Sequence, residues 1–246
     1  KLVRIDARGI YYRQLNDMIR EAVVNGTKEV IIDNVNSQRY IGAGINGKDV
    51  TIIINGTPGN DLAAFMDGPT VIVNDNAQDG VGNTINDGKI IIHGDAGDVL
   101  GYGMRGGKLF VKGDVGYRVG IHMKGYKNQM PMIIIGSTAG DFLGEYMAGG
   151  ILMLLGLNRG NNPIAGDYLG TGMHGGVMYI RGEIDPYRCG ADVGITELDD
   201  NDKNILEGHL KEFCEDFDLD FNEIIKERFI KLYPKSLRPY GKFYAY

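Results

Sequence analysis

The chain has 246 residues, 43% of them apolar, with 26 Lys/Arg against 32 Asp/Glu for a formal charge of −6. It can bury a sizeable core, and no dense basic run offers the phosphate-neutralising surface that nucleic acid requires. The two cysteines, Cys189 and Cys214, exclude a disulfide framework and an ordinary four-cysteine iron–sulfur cluster; no stretch reaches the ~18 continuous apolar residues of a membrane span and no signal-peptide core follows Lys1, so the cytoplasm is the expected location.

In chain order, Leu15, Met18, Ile19, Ala22 and Val23 fall at helical spacing before the stop signal Asn25-Gly26, which predicts an amphipathic helix over about residues 10–25. A strand at Glu29–Asp33 follows, so residues 1–40 form a helix-and-strand lead-in. Glycine then sets the pattern. It supplies 38 residues, about twice the usual ~7%, and it recurs at fixed spacing: Gly82-Asn-Thr-Ile-Asn-Asp-Gly-Lys-Ile-Ile-Ile-His-Gly94 matches Gly101-Tyr-Gly-Met-Arg-Gly-Gly-Lys-Leu-Phe-Val-Lys-Gly113. The Met/Ile position steps by nineteen through Met66, Ile85, Met104 and Met123, with looser copies at Ile45, Met147 and Met173. A unit of turn, short strand and second turn cannot bury a face alone and must stack on its neighbours. The fold expected is therefore all-β: a right-handed parallel β-helix, a single-stranded solenoid of about seven coils over residues 41–184, inside one domain spanning 1–246.

Period-two alternation assigns two columns to the bore. One is Ile54, Val73, Ile92, Val111, Ile134, Leu154 and Ile180; the other is Ile52, Val71, Ile90, Leu109, Met132, Leu152 and Met178. The column between them faces outward and is nonetheless apolar: Ile53, Ile72, Ile91, Phe110, Ile133, Met153 and Tyr179. The slot before the closing turn is polar in Asn55, Asn74, His93, Lys112 and Arg181, but apolar at Ile135 and Leu155, which marks these two as a patch in need of a cover. After the coils, Asp185–Asn201 reads as polar turns, Leu206, Leu210, Phe213 and Phe217 as one helix face, and Ile224, Ile225, Phe229 and Leu232 as another, making residues 185–246 a loop with capping helices. The first of these helices is expected over part of the outward stripe, and a subunit contact, with a second copy or a catalytic subunit, over the rest.

No residue qualifies as catalytic, cofactor-binding or metal-ligating. Gly42-x-Gly44-x-x-Gly47, Gly101-x-Gly103-x-x-Gly106 and Gly170-x-Gly172-x-x-Gly175 match the dinucleotide pattern literally, but each precedes a strand where a phosphate site needs a helix N-terminus. His93, His122, His174 and His209 lie on separate segments without metal-ligand spacing, and His174 reads as a turn residue bonded to backbone. Asp95, Asp98, Asp114 and Asp141 sit in turns without the nonapeptide of calcium-binding β-helices. The loop Asp185-Pro-Tyr-Arg-Cys-Gly190 and the tail Arg238-Pro-Tyr-Gly-Lys242 are open to two readings, contact element or local packing.

The run Asn34-Val-Asn-Ser-Gln-Arg-Tyr-Ile-Gly-Ala-Gly-Ile-Asn-Gly47, the repeated Gly-x-Gly-x-x-Gly coils and Arg228-Phe-Ile-Lys-Leu-Tyr-Pro234 together resemble the C-terminal GXGXG β-helix domain of the glutamate synthase large subunit, in the stand-alone, archaeal-type form where that subunit is split into separate polypeptides. The resemblance runs from about Ile5 to Pro234. It implies a structural role beside a glutaminase with an N-terminal cysteine nucleophile and an FMN/iron–sulfur synthase that makes glutamate from 2-oxoglutarate, with no cofactor and no catalytic residue on the β-helix itself. A formylmethanofuran dehydrogenase subunit shares this type of coil, and an independent carbohydrate-active β-helix enzyme is the remaining alternative, disfavoured by the absence of tryptophan.

Overall fold

The glycine signature resolves into corners of alternating left-handed residues. Ahead of the first coil strand, Tyr40, Gly42 and Gly44 have φ of 60°, 76° and 68°, and the N–H groups of Ala43 and Ile45 donate to the carbonyls of Tyr40 and Gly42. Overlapping four-residue turns with positive φ at the third residue are type II, the geometry that favours glycine there. The same three left-handed positions recur at Gly80, Gly82 and Thr84, at Val99, Gly101 and Gly103, and at Arg118, Gly120 and His122. Directly after each corner comes the Met/Ile column, and Met66, Ile85, Met104 and Met123 are fully buried.

These corners carry a stack of strands. The computed structural model describes residues 1–236: β1 Leu2–Asp6, α1 Tyr12–Val24, β2 Glu29–Asn36, β3 Thr51–Thr57, β4 Asp67–Val73, β5 Asp87–Ile92, β6 Lys108–Val111, β7 Met132–Ile135, β8 Ala148–Leu154, β9 Gly175–Arg181, β10 Val193–Glu197, α2 Asp200–Phe217, α3 Phe221–Ile224 and β11 Phe229–Pro234. β1 to β9 lie side by side in chain order and all pair in parallel. The result is a parallel β-solenoid of about six turns between β3 and β9, one fewer than the repeat count suggests, because seven strands are joined by six windings. The bore is one apolar cluster, and α1 contributes Leu15, Ile19 and Ala22 to it.

Three sequence expectations need correction. The pairing Leu109↔Ile133, Phe110↔Ile134, Val111↔Ile135 puts Ile133 and Ile135 in the bore and turns Met132 and Ile134 outward, the reverse of the column assignment. The insertion at Lys127–Pro131 breaks the nineteen-residue count, and all four residues of β7 are buried, so no polar alternation marks the register. Gly136, whose N–H donates to Val111 O as Lys112 N–H donates to Ile92 O, fills the slot assigned to Ile135. Second, Phe229–Pro234 is a strand and not a helix. It pairs antiparallel with β9, Ile230 opposite Ile180 and Leu232 opposite Met178, and β10 pairs with it in turn; the open edge of the stack is covered by backbone hydrogen bonds, a demand that outweighs local periodicity. Third, β10 lies within the segment read as polar turns, and β1 was not foreseen. Tail residues 238–242 lie outside the described residues.

The acidic turns belong to the same stacking. Asp98 Oδ1 accepts the N–H of Tyr117 at 2.8 Å, and Asp79 Oδ1 accepts that of Asp98 at 2.7 Å. A parallel ladder runs from Asn76 to Asp95 N–H and from Asp95 to Asp114 N–H. Each such oxygen occupies the space where the following coil would place a Cβ, at Gly116 over Asp98 and at Gly113 over Asp95. Glycine is required there by close approach, with no positive φ involved.

The same reason governs Gly106 and Gly175, neither of which has a positive φ; a Cβ would collide with the carbonyl oxygens of Asn86 and Ala148 in the coil below. Gly106→Val and Gly175→Val should each cost about 1–3 kcal/mol or more, measured by chemical denaturation. Gly208→Ala is the control: this exposed position in α2 has open space around it, and the substitution should stabilise by roughly 0.5–1 kcal/mol.

Candidate functional site

The outward apolar column decides what this molecule presents to others. Over β5 to β9 it is covered by α2, which buries Leu206, Leu210, Phe213 and Phe217 against Ile91, Phe110, Ile134, Met153 and Tyr179. Phe213 meets Phe110 edge-on at 5.6 Å and Phe217 meets His93 edge-on at 5.1 Å. Asp202, at the start of α2, reaches Tyr179 on β9, so the helix runs back along the rod from β9 to β5. Leu155 lies fully buried in this contact. Ile135 lies fully buried in the bore, so the pair expected to mark a partner patch is taken up within the chain.

Polar groups fix the register of that cover. Lys108 Nζ lies 2.7 Å from Glu212 and Lys89 Nζ 2.6 Å from Asp216. At the other end Tyr179 donates its hydroxyl to Asp202 at 2.7 Å, Lys231 donates to it at 2.9 Å, and in a capping box the carboxylates of Asp199 and Asp202 each accept the other's backbone N–H. Burial alone would push the Glu212 carboxyl up; the Lys108 hydrogen bond and the charges of Lys89 and Lys108 outweigh it and hold the group below the usual carboxylate range. Asp202 is likewise held low, the bonds from Tyr179 and Lys231 overcoming its burial. The Tyr179 hydroxyl moves up, through burial and then through its bond to Asp202.

Beyond α2 the cover ends. The outward column continues toward the N-terminal end as Ile72, Ile53 and Ile31, partnered in that order across β4, β3 and β2. All three are half-buried. Ile72 touches the edge of the α2 cluster, whereas Ile31 and Ile53 belong to neither apolar cluster among the described residues.

Residues with chemical potential are otherwise occupied or apart. The three Gly-x-Gly-x-x-Gly runs lead into β3, β6 and β9 as corners. Asp95, Asp98, Asp114 and Asp141 all accept backbone N–H groups from the next coil, and no cluster of three His, Cys, Asp or Glu suited to a metal occurs among the described residues. Cys189 and Cys214 are disfavoured as thiolates: burial, and then Asp185 and Asp220 respectively, push both thiols up to about 11. His174 Nδ1 sits 3.3 Å from Gly172 O, the turn contact expected.

One arrangement was not legible from the sequence. His122 stacks on Tyr146 at 5.2 Å and 17°, Phe142 on Tyr168 at 4.8 Å and 14°, and Arg118 lies 4.2 Å over Phe142 while pairing with the buried Glu145. All five stacking residues occupy left-handed corner positions, so ring stacking offsets backbone strain of order 1 kcal/mol each. Their spacing from the Met/Ile column, one residue before it for His122 and Tyr146 and five before it for Arg118, Phe142 and Tyr168, places them at corners but does not show which rings meet. His122, Tyr146 and His174 thereby line one open groove with Lys124.

The family model described as GXGXG motif matches residues 15–240. Over 251 aligned residues the chain is 47% identical to the uncharacterized protein MJ1350 of Methanocaldococcus jannaschii, with 99% of this chain and 96% of that protein covered. No helix among the described residues is long and apolar enough to cross a membrane.

The lowered Glu212 and Asp202 carboxyls give the α2 contact an acid limit. Folded pKa values below the unfolded ones mean that the unfolded chain binds more protons in that range, so this stability is complete above the unfolded values and is lost as pH falls through the folded ones. The window lies below about pH 4.5. Unfolding measured between about pH 3 and 7 should show that limb, and Glu212→Gln should flatten it while costing about 1 kcal/mol or less near neutrality.

Proposed function

Because this chain belongs to the GXGXG motif family, we propose that it is the non-catalytic β-helix subunit of a multi-subunit glutamate synthase, holding a glutaminase and an FMN/iron–sulfur synthase polypeptide in fixed relation. The observation that carries this reading is the unfinished cover: a stack whose outer apolar column is sealed by its own helix over β5–β9, reaches the edge of that cover at Ile72 and is left only partly buried at Ile53 and Ile31. Apolar rows of this kind on an otherwise polar surface mark contact sites. The resemblance of Asn34–Gly47 and Arg228–Pro234 to the glutamate synthase β-helix supports a glutaminase and a synthase polypeptide as the partners. The reading of the chain as a carbohydrate-active enzyme loses ground, because paired carboxylates facing a groove are its requirement and the turn carboxylates here are engaged with neighbouring N–H groups.

Two measurements test the proposal. The purified chain should carry no stoichiometric visible absorption of flavin or iron–sulfur cluster; such a band would overturn a purely structural role. Ile53→Lys and Ile31→Lys should leave the chain folded at a cost of about 1–2 kcal/mol, because both side chains are partly buried on paired strands, and should weaken capture of the proposed glutaminase and synthase partners. Retention of every partner by both variants would remove this face as the interface.

A further inference from the structure

At the N-terminal end of the solenoid, the loop between β1 and α1 meets the loop after β2 to form an open cleft of about 710 Å³. Arg8 and Arg39 line it beside Tyr11 and Tyr12. It is built rather than incidental. Gln38 Nε2 donates to Ala7 O at 3.0 Å and to Ile10 O at 3.2 Å, pinning one wall, and buried Asn16 donates 2.9 Å bonds to both Tyr12 O and Arg39 O, fixing the other. The Arg39 guanidinium lies 4.8 Å over the Tyr12 ring. On a chain of net charge −6, neither Arg8 nor Arg39 has a carboxylate within ion-pair distance among the described residues. Asp6, two residues before Arg8, accepts the Arg8 backbone N–H and the Asn34 amide. The first turn of α1 carries no acidic residue and Tyr11 provides no side-chain cap, so the helix end does not offset the positive field.

We propose that this cleft seats an acidic segment of a partner polypeptide; the inference rests on the scaffold reading above and names the chemistry of one contact. A polypeptide is favoured over a small anion on physical grounds. Both guanidinium groups are exposed, and a small anion held by solvent-exposed charges gains little. A docked chain excludes water from the cleft, which strengthens the charge pairs and adds stacking on Tyr11 and Tyr12; preset Arg and Tyr side chains are what binding hot spots are made of. The cleft lies at the same end of the rod as Ile31 and Ile53, so one partner can cover both.

The test uses the full chain and an Arg8→Ala/Arg39→Ala variant, which should melt like the parent because neither side chain hydrogen-bonds to the rest of the fold. Two probes are applied: the proposed glutaminase and synthase partners, and a fluorescein-labelled peptide alternating glutamate with phenylalanine. Binding of at least one probe should fall tenfold or more in the variant, be partly rescued by Arg8→Lys/Arg39→Lys, and weaken with added salt. Unchanged binding of both probes by the alanine variant overturns the cleft while leaving the scaffold reading intact. Failure of the parent chain to bind either probe, or saturable binding of inorganic phosphate alone that the variant loses, also overturns the cleft. Failure to bind any of the polypeptides overturns the scaffold reading: together with the cleft when the peptide is not bound either, and alone when the peptide is bound by the parent and lost by the alanine variant.

Discussion

Everything in this molecule depends on the close approach of successive coils. Parallel strands pair at ~4.8 Å, and to keep that spacing around a corner the backbone must turn sharply in little room. Left-handed residues at alternate positions, as in Gly42 and Gly44 or Gly101 and Gly103, provide the turn. Glycines without positive φ, such as Gly113 and Gly116, provide the room, because an Asp oxygen from the coil below fills the space of a side chain. One spacing requirement thus explains both kinds of glycine and the aspartates that accompany them.

The stacking engages many of the side chains that could otherwise act chemically. Its turn carboxylates bind neighbouring N–H groups, its bore is filled with aliphatic side chains, and its thiols are pushed toward the neutral form. What the stack offers is a straight, stiff outer face. α2 occupies part of it and is locked in register by Lys89, Lys108 and Asp202. The part left open, together with the Arg8 and Arg39 cleft, lies at one end, which is why we propose a role in holding other polypeptides in place.

The solenoid was legible in the sequence because the nineteen-residue period forces equivalent residues into register; the bore column through Ile52, Val71, Ile90 and Leu109 follows from counting alone. Counting failed at β7, where an insertion removed the period and an all-apolar strand removed the alternation. It failed again at Phe229–Pro234, because pairing to an open sheet edge is a tertiary demand that local spacing does not encode. The corner stacks and the cleft were invisible for a related reason. His122 and Tyr146, or Gln38 and Ala7, meet only when coils are superposed or two loops converge.

Hydrogen exchange on the chain with and without the proposed glutaminase and synthase partners tests the central claim most directly. The account predicts added protection confined to the N-terminal end, in the segments carrying Arg8, Ile31, Arg39 and Ile53, with the α2-covered strands β5–β9 unchanged. No added protection anywhere, or protection only along β5–β9, would contradict it.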